Sequence, residues 1–182
     1  EDEQGYVNPL SVRSCYPMGK RSAECLCYSY FKEYNVPVKI ARLAQTFGAG
    51  VSIDDNRVFA YIAKSAIAGN DVVLSTTGES KKDYCYTIDA VDALLRILLD
   101  GENGEAYNVA TPDTYISVKG LAEFVMDRFS PTSKVICECR DVDKFPPVSK
   151  VRMSASKLIA LGWKPYYNLE RMYSRLLQWY KA

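Results

Sequence analysis

Tyr16-Pro17-Met18-Gly19-Lys20 opens a run, 16–34, that reads as one helix. Pro17 falls in its first turn, where a missing N–H does no harm, and Asn35 with Pro37 closes it. Residues four apart share a helix face, so the spacing brings a phenol and an ammonium together. A free tyrosine titrates near ~10 and is a poor base at neutral pH. A positive charge beside a phenol favours its ionised form. Such a pair suits proton transfer to or from a hydroxyl or a carbonyl, and that transfer must accompany loss of a hydride from an alcohol. A chance pairing on a surface helix is the alternative, because the chain holds 14 tyrosines.

The rest of the chain alternates. Residues 1–15 are polar and read as a surface loop, and 38–43 as a strand ended by Gly48-Ala49-Gly50. Val58, Ile62 and Ala66 recur at helical spacing over 58–68, and Gly69 closes that helix. A strand is expected at 72–74, a turn at 77–82 and a strand at 84–88. Asp89 stands where an N-cap belongs, before a helix over 90–99 that Asp100-Gly101 ends. A strand at 106–109 follows, then a helix capped by Ser117 and running to about 129. Residues 135–139 are strand-like, and 140–152, with Pro146-Pro147, read as a loop. A short helix spans 154–161, with Gly162 beyond it. Asn168 caps a last helix carrying Leu169, Met172, Leu176, Trp179 and Tyr180. Alternating helices and strands make the class α/β.

Composition narrows the chemistry. The 182 residues are 48% apolar and 25% charged, which suits one compact domain. With 23 basic and 22 acidic residues the net charge is +1, so no one-sign field draws the chain to nucleic acid or membrane. No apolar run approaches the ~20 residues of a membrane helix, and no secretory signal is visible. The chain has no histidine, which excludes Ser-His-Asp and Cys-His catalysis and His-ligated zinc within it. Cys25 and Cys27 fall on a helix, where i and i+2 point roughly 200° apart. Cys137 and Cys139 share one face of the expected strand. Neither pair has the Cys-x2-4-Cys spacing of a zinc site, so no metal is expected. Cys15 and Cys85 complete the six, whose irregular spacing does not read as a secreted disulfide scaffold. Reduced thiols and a cytoplasmic location are expected. The first residue is Glu1, which leads to the expectation that the natural amino terminus lies elsewhere.

Several stretches together resemble one family. The segment from Pro9 through Tyr16-Pro-Met-Gly-Lys20 to Glu24 resembles the region around the catalytic Tyr-x3-Lys of extended short-chain dehydrogenases, in particular those that remodel nucleotide sugars. In register after it come Arg42-Leu-Ala-Gln-Thr-Phe47-Gly48, similar to Arg-x-x-Asn-x-Tyr-Gly. Gly78 to Asp89 is similar to Gly-x-Gln-x-Arg-Asp-Phe-x-Tyr-Val-x-Asp. Gly104-Glu-Ala-Tyr107-Asn108-Val109 is similar to Gly-x-x-Tyr-Asn-Ile. Ser156-Lys157 and Leu161-Gly-Trp163-Lys-Pro165 resemble the family's closing motif. Each motif is modest alone, but five in order span nearly the whole chain.

The resemblance implies the C-terminal part of a Rossmann-type doubly wound sheet plus a small α/β substrate-binding domain. Residues 1–50 would be the remnant of the NAD-binding domain, comprising the Tyr-x3-Lys helix and the following strand. Residues 51–182 would be mostly substrate-binding domain, with a strand and helix near 84–100 returning to the Rossmann part. It implies an NAD-dependent epimerase, dehydratase or decarboxylase acting on a nucleotide-diphosphate sugar through a 4-keto intermediate. An NADPH-dependent keto-sugar or carbonyl reductase and a non-catalytic nucleotide-sugar-binding module are the alternatives. Tyr16 would be the general acid/base and touch the cofactor. Lys20 would sit beside it and hydrogen-bond the nicotinamide ribose. Lys82 takes the place of an arginine on the substrate diphosphate, Gln45 that of a nearby asparagine, and Asn108 would line the sugar-nucleotide pocket. Lysine at 82 loses the bidentate fork and keeps a point charge. Each also has a plainer reading: Lys82 as a solvated turn residue, Asn108 as a cap on backbone groups, Arg42 as a partner for an acidic neighbour, and Tyr107 and Trp163 as core. A dinucleotide site needs a strand, a Gly-rich turn and a helix. Gly48-Ala-Gly50 fails that test, because Ile53 stands where a third glycine belongs. Most of the cofactor site would therefore lie upstream, and this chain by itself would be inactive. The resemblance also implies a homodimer, with the 16–34 helix in its interface, or a self-associating fragment.

Overall fold

The computed structural model of the chain describes residues 5–139 and 147–182. A 3-10 turn, Val12–Ser14, whose cap Ser11 Oγ accepts the Arg13 N–H, leads into α1 (Cys15–Tyr34). Asn35 ends α1 in the left-handed conformation, φ 54°, which Asn tolerates better than most residues. Then follow β1 (Ile40–Leu43), β2 (Gln45–Phe47), α2 (Val58–Ala68), β3 (Val72–Leu74), β4 (Lys81–Lys82) and β5 (Tyr84–Tyr86). After these come α3 (Thr87–Asp100), β6 (Ala106–Val109), β7 (Ile116–Ser117), α4 (Val118–Phe129), β8 (Val135–Cys137), α5 (Ser156–Ala160) and α6 (Leu169–Lys181).

The strands form pairs. β1 runs parallel to β6, β2 to β5 and β3 to β8, while β4 and β7 are antiparallel. Parallel partners need long crossovers, and helices provide them here, as the alternating pattern predicts for an α/β chain.

Apolar burial divides into two clusters. The larger joins Phe47, Tyr84 and Tyr86 with the inner faces of α2, α4 and α6, where Phe59, Ile62, Leu121, Met172 and Leu176 are fully enclosed. Phe47 stacks on Phe59 at 4.7 Å and meets Tyr173 at 5.2 Å. The smaller sets Ala90, Ala93 and Ile97 of α3 against Tyr107 and Val109 of β6, closed by Leu158 and Trp163. Tyr107 and Trp163 are therefore core residues. Trp163 meets its buried polar need by donating its indole N–H to the Asp89 carbonyl. Among the described residues no helix is long and apolar enough to cross a membrane.

Local signals and structure agree at α2, β3 and β6. The caps Ser117, on the Gly120 N–H, and Asn168, on the Arg171 N–H, form as expected. Asp89 does not cap: α3 already starts at Thr87, and the Asp89 carboxylate accepts the backbone N–H groups of Tyr166 and Tyr167 instead. β2, β4 and β7 were not expected, and Cys139 lies beyond the end of β8. Of the loop expected over 140–152, residues 140–146 lie outside the described residues. Within the remainder Lys150 bridges in parallel to Lys81, held by Lys81 N–H on Ser149 O at 2.8 Å and Val151 N–H on Lys81 O at 3.1 Å.

Candidate active site

Helix α1 presents Tyr16 and Lys20 one turn apart on an open face. Tyr16 is 72% exposed, and the Lys20 ammonium stands 5.7 Å from the centre of its ring. Among the described residues nothing hydrogen-bonds the Tyr16 hydroxyl. A Cβ placed on Gly19, between them in sequence, would meet nothing within 4 Å. The face thus leaves room for a ligand, and a phenol with an adjacent cation fits the ribose and nicotinamide end of NAD. For the pyrophosphate, no strand, Gly-rich turn of the required spacing and helix follow one another in that order among the described residues.

An ion pair and a ring contact tie α1 to β1 and to the turn before β6. Both carboxylate oxygens of Glu24 accept from Arg42 of β1, with Nη2 to Oε2 at 2.7 Å and Nε at 3.0 and 3.1 Å, in the bidentate manner of Arg–carboxylate pairs. Phe31 lies on Gly104, where an added Cβ would come within 2.4 Å of the ring and where φ is +82°. Glycine alone fits that place.

The other three candidates lie near the point where the chain passes from pairing with β6 to pairing with β5. β1 passes through Ala44 into β2, and Ala44 N–H bonds Val109 O at 2.9 Å. Gln45 N–H bonds Asp83 O at 3.2 Å, and Thr111 N–H bonds Tyr84 O at 3.0 Å. These bonds draw the start of β2, the approach to β5 and the end of β6 into one junction. Gln45 is half-buried there, and Lys82 is exposed one residue before Asp83. Asn108 is buried and donates from Nδ2 to the Ser154 carbonyl at 3.0 Å. It is also the register partner of Arg42, so the ion pair to Glu24 links this junction to the Tyr16 helix.

Asp83 belongs to the same junction and carried no role in the sequence. Its carboxylate is buried and accepts the Met153 N–H at 2.6 Å. Burial raises its pKa above the ordinary carboxylate value, while that N–H and Arg152 act the other way. Asp83 and Asn108 together clamp residues 153 and 154 ahead of α5. In sequence Asp83 follows two lysines and reads as part of a polar turn, so no local signal marked it. No group of three His, Cys, Asp or Glu among the described residues is placed to hold a metal ion, and all six cysteines are unpaired.

Comparison with known proteins identifies the family and the fold. Residues 1–110 match the model of the NAD dependent epimerase/dehydratase family. UDP-glucuronic acid decarboxylase 3 of Arabidopsis thaliana is 34% identical over 169 residues, covering 93% of this chain and 48% of the relative. UDP-glucuronic acid decarboxylase 1 of Danio rerio is 29% identical and covers 99% of this chain and 42% of the relative. The chain thus spans about half the length of the curated relatives it matches. Among solved structures, UDP-glucose 4-epimerase of Thermotoga maritima, determined with UDP-glucose, superposes with a TM-score of 0.79 at 24% identity, over 91% of this chain and 53% of that one. An epimerase of Methanothermobacter thermautotrophicus gives 0.80 at 19%, over 94% and 51%. At these identities the superpositions speak to the fold, which is Rossmann-like. Family match, parallel strand pairs and the Tyr16–Lys20 helix lead to one assignment: this chain belongs to the NAD dependent epimerase/dehydratase family.

Proposed function

We propose that this chain forms the proton-transferring and substrate-side part of an NAD-dependent enzyme that remodels a nucleotide-diphosphate sugar through a 4-keto intermediate, as an epimerase, dehydratase or decarboxylase. The observation that carries the reading is the open α1 face, where Tyr16 and Lys20 stand one turn apart. Tyr16 and Lys20 would hold the ribose and nicotinamide end of NAD, which would supply the hydride acceptor and donor. The Tyr16 oxygen accepts the proton of the sugar C4 hydroxyl as the C4 hydride departs, and gives it back when the carbonyl is reduced. The Lys20 ammonium places positive charge beside the phenol and offers a donor to the ribose. Lys82 supplies a point charge for the diphosphate. Gln45 and Asn108 bound the pocket at the strand junction.

The relatives' names make UDP-glucuronic acid the first substrate to test. In an enzyme containing this chain, Tyr16→Phe lowers kcat by about 10²–10⁴-fold, the usual worth of a general acid/base, while nucleotide-sugar binding persists. Wild-type turnover in Tyr16→Phe overturns the reading.

The same proposal includes self-association, with α1 in a homodimer interface: Leu26, Tyr28, Tyr30 and Tyr34 of that helix are exposed. Sedimentation of the chain with and without Leu26→Glu measures it. Six unpaired thiols support a cytoplasmic location.

A further inference from the structure

Side chains on an extended strand alternate between its two faces. Lys82 and Lys81 of β4 therefore point to opposite sides of the ribbon that β4 makes with β7. On the Lys81 side several cations gather. Lys81 pairs with Ser117 across β7 and with Lys150 through the parallel bridge on its other flank. Two residues along from these, on the same face, stand Tyr115 and Arg152. The Lys81 ammonium lies 5.8 Å and the Arg152 guanidinium 5.7 Å from the centre of the Tyr115 ring. Lys119, in the first turn of α4, joins Lys81, Ser117, Lys150 and the stretch Thr77 to Glu79 around a shallow concavity of about 190 Å³.

Cations outnumber carboxylates on this face, where Glu79 lines the hollow and Asp83 feels Arg152. Like charges on neighbouring rungs of a sheet repel. Among the described residues no carboxylate comes within ion-pair distance of Lys81, Lys150 or Arg152, and Lys119 reaches only Glu123, at 3.7 Å. The Asp83 carboxylate, electrostatically felt by Arg152, is turned to the Met153 N–H. Tyr115 carries two cations near one ring, which orders them but removes no charge. Lysine ammonium groups bind phosphates as point charges, and several converging on one hollow suit a ligand with several negative charges.

We propose that the Lys81–Tyr115–Lys150 face binds a di- or polyphosphate anion. The proposal does not depend on the chemistry assigned to Tyr16. Its occupant in the cell is either free pyrophosphate-type anion or the phosphate part of a nucleotide, and two arms of one experiment separate these.

The probe is inorganic pyrophosphate, titrated at constant ionic strength into the whole chain labelled with ¹⁵N. Saturable amide shifts are expected at 81, 115–119 and 149–152. The double change Lys81→Gln/Lys150→Gln weakens binding by at least about tenfold, or ~1.4 kcal/mol. Lys164→Gln, an exposed lysine elsewhere, leaves it within about twofold, and circular dichroism shows all variants folded. In the second arm, UDP shifting the same amides identifies a nucleotide as occupant; shifts there with pyrophosphate but not UDP identify the free anion. Absence of saturable shifts, shifts confined to 45, 82 and 108, or equal weakening by Lys164→Gln overturns the proposal.

Discussion

Asp89 Oδ2 accepts the backbone N–H of Tyr167 at 2.9 Å, across 78 residues of sequence. Its other oxygen accepts the Tyr166 N–H at 3.0 Å, and its carbonyl takes the Trp163 indole. One buried residue in the first turn of α3 thus fixes the segment that leads into α6. Charge-assisted bonds of this kind contribute more than neutral ones. Asp89→Ala removes two acceptors and leaves two partly buried N–H groups without that partner. It is expected to cost about 2–4 kcal/mol of unfolding free energy. Asp89→Asn, which keeps one acceptor, costs less. Urea denaturation followed by circular dichroism measures both.

The cysteines divide by accessibility. Cys85 is fully buried, and burial pushes its thiol up to about 12, while the other five are exposed. The thiolate is the reactive form. At pH 8, iodoacetamide should add to five thiols quickly and to the sixth only when the chain unfolds. Mass spectrometry counts the additions and places the slow one at Cys85.

Asp83 gives stability a dependence on pH. Its folded-state pKa is raised, so the folded chain binds this proton more tightly than the unfolded chain, for which 3.8 is the reference. Its contribution is therefore fully present below about 3.8 and is lost as pH rises through the folded value. Asp83→Asn abolishes that dependence. Relative to Asp83→Asn, the wild-type chain should gain stability as pH is lowered from 7 toward 4. A difference that is flat or opposite in sign contradicts the desolvation argument.

Tyr16 should separate activity from stability. It is 72% exposed on a helix with no fully buried residue. Exposed substitutions of this kind stay within ~0.5 kcal/mol. Tyr16→Phe should unfold at the wild-type denaturant midpoint while removing activity from the assembled enzyme. A shifted midpoint would point to a packing role instead.

What the sequence revealed follows the range of the forces involved. Ser117 and Asn168 were readable as caps because a cap bonds a backbone N–H three residues away. Asp89 looked the same in sequence, an acidic residue before an apolar run, yet its partners lie at 166 and 167. Nothing local distinguishes the two cases. β4 and β7 are two residues each and exist only by pairing with one another over a gap of some 35 residues; no periodicity can accumulate in two residues. In the site, the Tyr16–Lys20 relation is a helix spacing and was legible. Gln45, Lys82 and Asn108 could be named from ordered motifs, but the closeness of their backbones depends on pairing between distant strands. Lys81, Tyr115, Lys150 and Arg152 are scattered over seventy residues, and only the ribbon's register puts them on one face.

The twenty-residue α1 encloses none of its side chains, and an ion pair with one ring on a glycine are its main attachments. Helices draw most of their persistence from packing, so this one has little share in the cooperativity that holds the two apolar clusters together. Its amides should exchange with solvent well before those of α2 or α4. Heat or mild denaturant should then unfold α1 while the remaining fold is intact. The proton transfer proposed for Tyr16 would then draw its precision from whatever surface lies against α1.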